Sequence, residues 1–158
     1  SVAKNKNVLD VGTGSGILAI AAKVAGAKSV LAVDINKEAT NYVKAKGINS
    51  RVSDLFSNIK EKFDLIVFNP PYLPKDNLED DDSETTTTGG KHGHEIISRF
   101  LQEAKTHLTK NGRILLLFSS LTGRENVDKV LRENNYHFNT LETQKLFFEE
   151  LYVYEIWN

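Results

Sequence analysis

The stretch VLDVGTGSG, residues 8–16, decides the fold. Its first four residues are apolar apart from Asp10, which is typical of a buried β-strand, and a glycine loop follows at once. Residues 17–24 then read as a helix that ends at Gly26. A strand, a glycine loop and a helix in this order form a cradle for a nucleotide-like group, because glycine lets the backbone approach a ligand and a helix N-terminus offers N–H donors. The loop glycines are Gly12, Gly14 and Gly16.

An acid stands where such a cradle needs an acceptor for ribose hydroxyls. The second strand, residues 30–33, ends in Asp34, about twenty residues beyond the loop, as in dinucleotide-binding folds. The dinucleotide pattern also requires glycine or alanine where Ile17 stands, so a nicotinamide or flavin cofactor fits poorly. The alternative for Asp34 is a cap on the helix that begins near residue 36.

A third strand, residues 49–53, ends in a second acid. Asp54 could accept from an adenine amino group while the apolar residues after it cover the ring. The alternative is an ordinary turn residue, and Asp54 alone does not decide between them. Acids or amides therefore stand at the ends of four successive predicted strands, and four such coincidences are harder to explain as turn residues than one. These residues are Asp10, Asp34, Asp54 and Asn69.

The fourth strand, residues 63–68, ends in the motif Asn69-Pro70-Pro71-Tyr72. The lone pair of an amide or aromatic NH2 group is delocalised, so such a nitrogen is a poor nucleophile. If the Asn69 side-chain oxygen and the Pro70 carbonyl each accept one N–H bond, the lone pair is aimed and made more available. The two prolines hold these acceptors in place, and Tyr72 can lie against the planar group and near a cationic donor. The alternative is an ordinary turn after a strand.

Residues 73–93 contain little that can form a core. The segment is rich in Asp and Glu, then in threonine, and ends in glycines with His92 and then His94. A loop of this length in a small domain is usually functional or disordered. Its acidity suits a basic protein substrate and would repel a phosphate backbone, although a solvated charge run explains it equally well. We predict no metal site at the two histidines.

The remaining pattern predicts an α/β protein. Residues 95–108 have the apolar period of a helix, Asn111-Gly112 predicts a turn before a buried strand at 114–118, and residues 124–133 predict another helix. Two β segments, 136–141 and 151–157, are close enough to pair antiparallel. Strands that alternate with helices predict a mostly parallel sheet, and one domain is expected over residues 1–158.

Composition limits the functional classes. The chain has 158 residues and a formal net charge of −1, which argues weakly against a dedicated nucleic-acid binder. It has no cysteine, so a disulfide or a thiolate zinc site within the chain is excluded, and an intracellular, cytoplasmic location is expected. No stretch has the length of a membrane span. Because there is no methionine, we expect a short N-terminal segment to be missing.

The glycine loop, the acids Asp34 and Asp54 and the motif that begins at Asn69 together resemble class I S-adenosylmethionine-dependent methyltransferases that act on amino groups. The resemblance implies a Rossmann-like sheet of seven strands, order 3-2-1-4-5-7-6 with strand 7 antiparallel, and helices on both faces. It implies S-adenosylmethionine as cofactor and catalytic roles for Asn69, Pro70, Pro71 and Tyr72. The cofactor residues that it implies are Asp10, Gly12, Thr13, Gly14, Gly16, Asp34, Ile35, Asp54, Leu55 and Asn69.

Within that class the chain is most similar to HemK-like release-factor glutamine methyltransferases of the archaeal and eukaryotic branch. The selective element is Gly89-Gly90-Lys91-His92-Gly93 before the helix with Arg99-Phe100, and Gly89, Gly90 and Gly93 would seat the substrate loop. The resemblance implies N5-methylation of the glutamine in the Gly-Gly-Gln loop of a translation release factor. It also implies a small zinc-binding activator protein, expected at the sheet edge formed by residues 49–53.

Two rival functions remain open. An adenine-N6 methyltransferase would use the same motif, because the exocyclic amine presents two N–H groups of the same geometry. The near-neutral charge, the acidic loop and the absence of a target-recognition domain count against it. The second rival is a non-catalytic methyltransferase-like subunit, against which the intact motif at residues 69–72 argues.

Overall fold

The computed structural model describes residues 2–70 and 94–158. The chain divides into two compact units. The first contains residues 1–69 and 104–115, and the second contains residues 70–103 and 116–158. The expectation of one functional domain over residues 1–158 stays a prediction.

The first unit carries four complete strands and the start of a fifth. Strand β1 is Asn7–Val11, β2 is Ser29–Asp34, β3 is Asn49–Val52, β4 is Phe63–Phe68, and β5, Leu108–Ser119, begins here. Helix α1, Ile17–Val24, connects β1 to β2, and helix α2, Lys37–Ala45, connects β2 to β3. This alternation is the one that the sequence predicts.

The second unit contains the end of β5 and the last two strands. Helix α3 is Glu95–Ala104, helix α4 is Arg124–Glu133, strand β6 is His137–Lys145 and strand β7 is Glu150–Trp157. Strands β6 and β7 pair antiparallel, with His137 opposite Trp157 and Lys145 opposite Glu150. The predicted final hairpin-like pair is confirmed, with a longer β6 than its sequence pattern indicates.

The seven strands form one sheet in the order β3-β2-β1-β4-β5-β7-β6, as expected. The pairs β1–β2, β1–β4 and β2–β3 are parallel, with Val11 opposite both Val33 and Phe68. On one face, Val8, Leu65 and Val67 pack with Ala22 of α1. Alternate residues such as Leu9 and Ile66 are also fully buried, which is typical of parallel strands covered on both faces.

Two further features differ from the sequence predictions. The helix expected to reach residue 108 ends at Ala104 and continues as one 3-10 turn, Lys105–His107. The predicted turn at Asn111-Gly112 is wrong, because β5 runs through it. A Cβ at Gly112 would lie 3.0 Å from the Phe63 carbonyl oxygen, so glycine serves here for a close backbone approach. Among the described helices, none has the length and apolar character needed to cross a membrane.

Candidate active site

The glycine loop between β1 and α1 turns through three residues of positive φ. Gly12, Gly14 and Gly16 have φ values of 62°, 51° and 78°, which side-chain-bearing residues rarely adopt. The loop is tied to β2 because the Thr13 N–H donates to the Val33 carbonyl at 2.9 Å. A Cβ placed on Gly14 would meet nothing within 4 Å, so this part of the loop borders open space. The backbone there is accessible to a ligand.

Asp10 supports this loop from beneath. Its side chain is 1% exposed, and its Oδ2 accepts from the Thr13 hydroxyl at 2.6 Å and from the Ala19 N–H at 3.0 Å. Burial raises the pKa of the Asp10 carboxyl to about 6, and the hydrogen bond from Thr13 opposes that rise. The carboxylate therefore joins the loop to the first turn of α1. A direct contact of Asp10 with a cofactor stays a prediction.

Asp34 lies at the end of β2 and stabilises the glycine loop by a hydrogen bond to Gly14. Its Oδ2 accepts from the Gly14 N–H at 2.9 Å, and its Oδ1 accepts from the Asn36 N–H at 2.9 Å. The alternative role as a helix cap is wrong, because the cap of α2 is Asn36, whose Oδ1 accepts from the Glu38 N–H at 2.7 Å. A carboxylate offers about four acceptor positions, so Asp34 keeps acceptor capacity for two hydroxyls. The next residue, Ile35, is 60% exposed and presents apolar surface.

The residues after β3 form a tight turn. The Asp54 N–H donates to the Ser57 hydroxyl at 3.1 Å, and the Asp54 carbonyl accepts from the Ser57 N–H at 2.9 Å. Leu55 is buried and has a φ of 46°, a conformation that costs a side-chain-bearing residue about 1–3 kcal/mol. The turn alternative for Asp54 is therefore correct as geometry. A strained residue held at the end of a parallel strand is typical of a functional site.

Asn69 follows β4 directly and is exposed. The residue before it, Phe68, is opposite Val11, the last residue before the glycine loop. The Phe68 ring would lie 3.6 Å from a Cβ on Gly12. The Asn69 backbone therefore begins beside the loop, and its side chain does not enter the core.

Pro70 is buried, whereas Pro71 and Tyr72 of the motif lie outside the described residues. The same holds for Gly89, Gly90 and Gly93, the predicted substrate loop, and for His92. In the described ranges, 2–70 and 94–158, no three His, Asp or Glu side chains cluster in a way that could hold a metal ion. The catalytic and substrate-loop roles stay predictions.

The parallel register of the first unit places Asp34, the glycine loop and Asn69 at one end of the strands. Asp34 ends β2 opposite Val52 of β3, and the glycine loop and Asn69 follow β1 and β4. The carboxyl ends of parallel strands are where open α/β sheets bind ligands. The arrangement offers an exposed loop backbone, a carboxylate with free acceptor positions, and an exposed amide.

Sequence reasoning missed the contacts that fix this end. Gly16 packs so closely on α2 that an added Cβ would lie 2.7 Å from a methyl carbon of Val43. Ser57 closes the turn after β3, and Asn36 caps α2. Asn36 before a first turn that contains Glu38 is a recognisable N-cap signal, but no local pattern predicts that Gly16 approaches a residue as distant in sequence as Val43.

The model of the methyltransferase small-domain family matches residues 1–148. The chain belongs to this family. It is therefore a methyltransferase by descent, and S-adenosylmethionine as the expected cofactor is confirmed at the level of the family.

Two of the individual relatives are named as glutamine methyltransferases. A Methanocaldococcus jannaschii protein, provisionally named a protein N5-glutamine methyltransferase, is 41% identical over 162 residues, covering 98% of this chain and 82% of that protein. A release factor glutamine methyltransferase of Streptococcus pneumoniae is 36% identical over 126 residues. The match covers 71% of this chain and 45% of that enzyme. The chain thus spans less than half of that bacterial relative. The expected similarity to glutamine methyltransferases is confirmed.

A solved complex shows the same fold. The E. cuniculi Mtq2–Trm112 structure, described as responsible for methylation of the eRF1 translation termination factor, matches with a TM-score of 0.77 and 28% identity. The match covers 97% of this chain and 85% of that chain. The structural likeness therefore extends over nearly the whole chain.

Proposed function

We propose that the chain transfers a methyl group from S-adenosylmethionine to the side-chain amide nitrogen of a glutamine in a protein substrate. The substrate that we favour is the Gly-Gly-Gln loop of a translation release factor. The archaeal relative with 41% identity is named for glutamine N5-methylation, and the Mtq2 complex with 28% identity is described as acting on eRF1. These likenesses support the proposal for this chain.

The described residues fit the parts of S-adenosylmethionine, which supplies an electrophilic methyl group on a sulfonium when it is bound. The accessible backbone at Gly14 suits the methionine part, and Asp34 has acceptor positions left for the two ribose hydroxyls. Asp54 and Leu55, on the turn after β3, would frame the adenine. Asp10 would act indirectly, by holding the loop in shape.

The observation that carries the proposal is the exposed Asn69 at the end of β4, next to the strand that enters the glycine loop. Its side-chain oxygen would accept one N–H of the substrate amide, and the Pro70 carbonyl would accept the other. With both bonds made, the amide plane is fixed and the nitrogen lone pair is aimed at the methyl group. Tyr72 would pack on the flat amide.

Asn69 positions the nitrogen and does not remove its proton. An asparagine side chain is no base at neutral pH, whereas the nitrogen becomes cationic once methylated. Its proton can then leave to water without a dedicated base. Catalysis in this scheme comes from positioning and fixed dipoles, for which loss of one contact costs roughly two to three orders of magnitude in turnover.

A small zinc-binding activator protein completes the proposal. Strand β3 stands first in the sheet order, so one side of it has no strand neighbour within the described part of the chain. Val52 on this strand is 43% exposed. An edge strand with exposed apolar surface suits a partner that adds a strand or packs an apolar face. Protection of the amides of residues 48–53 from hydrogen exchange on adding the activator would support this, and unchanged exchange would rule it out.

The decisive experiment is methyl transfer from labelled S-adenosylmethionine, with and without the activator. The substrates are a release factor with Gly-Gly-Gln, the same factor with that glutamine replaced by alanine, and adenine-containing oligonucleotides. Label on the first alone, placed on glutamine by mass spectrometry, is the expected result. Label on the oligonucleotides would establish the adenine rival instead.

The non-catalytic rival is tested by cofactor binding. Calorimetry with S-adenosylhomocysteine should show one site, with affinity reduced in Asp34→Ala because the ribose acceptor is lost. If the chain binds no cofactor, alone or with the activator, the result would contradict the proposed activity and support the non-catalytic subunit instead.

A further inference from the structure

The near-neutral net charge conceals a strong separation of charge along the chain. The first unit contains thirteen Lys and Arg against six Asp and Glu, a formal charge of +7. The second unit contains seven against fifteen, a formal charge of −8. A balance of −1 for the whole chain therefore says little about what each surface attracts, because binding depends on local potential.

The positive charge of the first unit collects at one end of its strands. Two lysines lie within the six residues before each of the strands β1 to β4. Because these strands are parallel, their amino ends lie together at one end of the sheet, and the glycine loop lies at the other end. We call this set the lysine edge. It consists of Lys4, Lys6, Lys23, Lys28, Lys44, Lys46, Lys60 and Lys62.

Hydrogen bonds to the backbone draw these segments together. The Lys28 N–H donates to the Lys6 carbonyl at 2.9 Å, so the lead-in to β2 lies against the lead-in to β1. The Lys23 ammonium donates to the Gly47 carbonyl at 2.9 Å, which joins the end of α1 to the lead-in of β3. Of the eight side chains, Lys6 is half-buried and the others are exposed. These bonds join three of the four segments, and the Asn7 N–H bond to Asp64 holds the fourth, before β4, beside the lead-in to β1.

The acids nearest to this edge are already engaged. Glu61 is paired with Arg51 at 2.8 Å, and that contact lowers the pKa of its carboxyl to about 2. Asp64 accepts from the Asn7 N–H and from the Thr109 hydroxyl, both at 3.0 Å. Among the described residues, no carboxylate pairs with an ammonium group of the lysine edge. The edge therefore keeps its excess of positive charge.

A pocket of about 300 Å³ lies at the amino ends of the strands, beside Lys62. Its lining combines the polar side chains of Asn7, Ser29 and Asn49 and the acid Glu61 with the apolar residues Val30, Leu31 and Phe63. At the end of α2, Tyr42 is 51% exposed and the Lys46 ammonium lies 5.1 Å from its ring centre. Lysines, amide and hydroxyl groups and an accessible aromatic ring are the elements of surfaces that bind phosphate, sugar and base.

We propose that the lysine edge binds the phosphate backbone of RNA, with the amide and hydroxyl groups of Asn7, Ser29 and Asn49 in the pocket beside it as partners for sugar hydroxyls. Strand β1 has five residues, which separates this edge from the glycine loop by about 17 Å. The RNA would thus be held away from the reactive end and is not the methylated substrate. The expectation that direct nucleic-acid binding is unlikely rested on the near-neutral net charge, the acidic loop and the absence of a target-recognition domain, and the charge separation removes the first of these arguments.

RNA is favoured over an anionic membrane because the edge offers hydrogen-bonding groups between its charges. The edge also exposes the apolar side chains of Val2 and Val24, but a membrane-binding surface needs a broad apolar face that enters the lipid, whereas an RNA surface needs partners for 2′-hydroxyls. The choice of RNA over DNA also rests on the proposed function, since a translation factor as substrate brings the enzyme near RNA. The phosphate chemistry itself does not depend on that proposal.

The test measures binding of a fluorescently labelled RNA duplex of about 20 base pairs by anisotropy, at salt from roughly 50 to 300 mM. The variant Lys6→Gln/Lys28→Gln/Lys62→Gln removes three charges from the lysine edge. The matched control, Lys129→Gln/Arg132→Gln/Lys145→Gln, removes three charges from the second unit, where each pairs with a carboxylate. We expect the slope of log K against log salt to fall by about 2–3 in the first variant only.

Several outcomes would overturn the proposal. These are no binding of the RNA at the lowest salt, equal weakening in the control, equal or tighter binding of a DNA duplex of the same sequence, and preferential capture by phosphatidylserine vesicles. Circular dichroism and urea unfolding confirm that both variants fold. Because RNA binding is measured without methyl transfer, its failure and a failure of the proposed glutamine activity are separate results.

Discussion

The two ends of the same parallel strands are built in opposite ways. At the carboxyl ends, Asp10 and Asp34 are committed by hydrogen bonds of 2.6–3.0 Å to a loop of positive-φ glycines and the residues beside it. At the amino ends, the lysine edge is mostly exposed, and its ammonium groups have no carboxylate partner among the described residues. Ligand binding at the carboxyl ends should depend on fixed geometry, and ligand binding at the amino ends should depend on charge density. Single substitutions should therefore be severe at the first end and mild, but salt-dependent, at the second.

The largest effect should follow Asn69→Ala. Removing one of the two acceptors for the substrate amide should lower the turnover of methyl transfer by roughly two to three orders of magnitude, as for loss of one preorganised polar contact. S-adenosylhomocysteine affinity, measured by calorimetry, should change little. Asn41→Ala, an exposed position on α2, is the control and should keep full turnover. Turnover near that of the unchanged protein in Asn69→Ala would remove Asn69 from the mechanism.

The second effect concerns pH. The pKa of the Asp10 carboxyl is raised from 3.8 to about 6 by burial, so the folded state binds a proton that the unfolded state has released. Asp10 therefore makes the free energy of unfolding fall as pH rises from about 4 to 6, by about 3 kcal/mol in total. Above that window its contribution is constant.

Urea unfolding at several pH values isolates this contribution. The difference in free energy of unfolding between the unchanged protein and Asp10→Asn should slope between about pH 4 and 6, because the asparagine side chain does not titrate. The exposed Asn41→Ala, which changes no titratable group, is the control and should run parallel to the unchanged protein across that window. If the free energy of unfolding of Asp10→Asn also ran parallel to that of the unchanged protein, the pKa of Asp10 would not be raised in the folded state.

The third prediction compares two glycines of the loop. Alanine at Gly14 or Gly16 should cost about 1–2 kcal/mol, because both residues have positive φ. At Gly16 the added Cβ also meets a methyl carbon of Val43 at 2.7 Å, and overpacking should add about 1–3 kcal/mol. In urea unfolding, Gly16→Ala should have a lower free energy of unfolding than Gly14→Ala. Adding Val43→Ala to Gly16→Ala should recover part of this difference, because it removes the clashing methyl carbon. Equal loss in both variants would show that backbone strain alone matters.

The smallest effect belongs to the lysine edge. Lys6→Gln/Lys28→Gln/Lys62→Gln should change the free energy of unfolding by no more than about 0.5 kcal/mol per site, since exposed charges contribute little to stability. Turnover on an isolated protein substrate should be unchanged, since the edge lies at the far end of the strands. A large loss of stability would mean that these side chains pack structurally and would remove the contrast between the two ends.

Much of the site could be read from local pattern. The positions of Gly12, Gly14 and Gly16 and the strand end at Asn69 follow from residue type and spacing, and the structure places all four at one end of the first unit. The partners of these residues could not be read. The sequence allows Asp34 to cap α2, yet Asn36 caps it, because the Asp34 carboxylate is held by the Gly14 N–H from the preceding loop.

The sequence by itself determined the order of strands and helices, the glycine loop and the family to which the chain belongs, because these depend on periodicity, backbone freedom and residue spacing over short distances. Only the tertiary structure decided which side chains meet. Parallel pairing brings four pairs of lysines, each from a separate segment of the chain, to one edge. The register that makes them neighbours is set by long-range hydrogen bonds and core packing, which leave no signal in any single stretch of sequence.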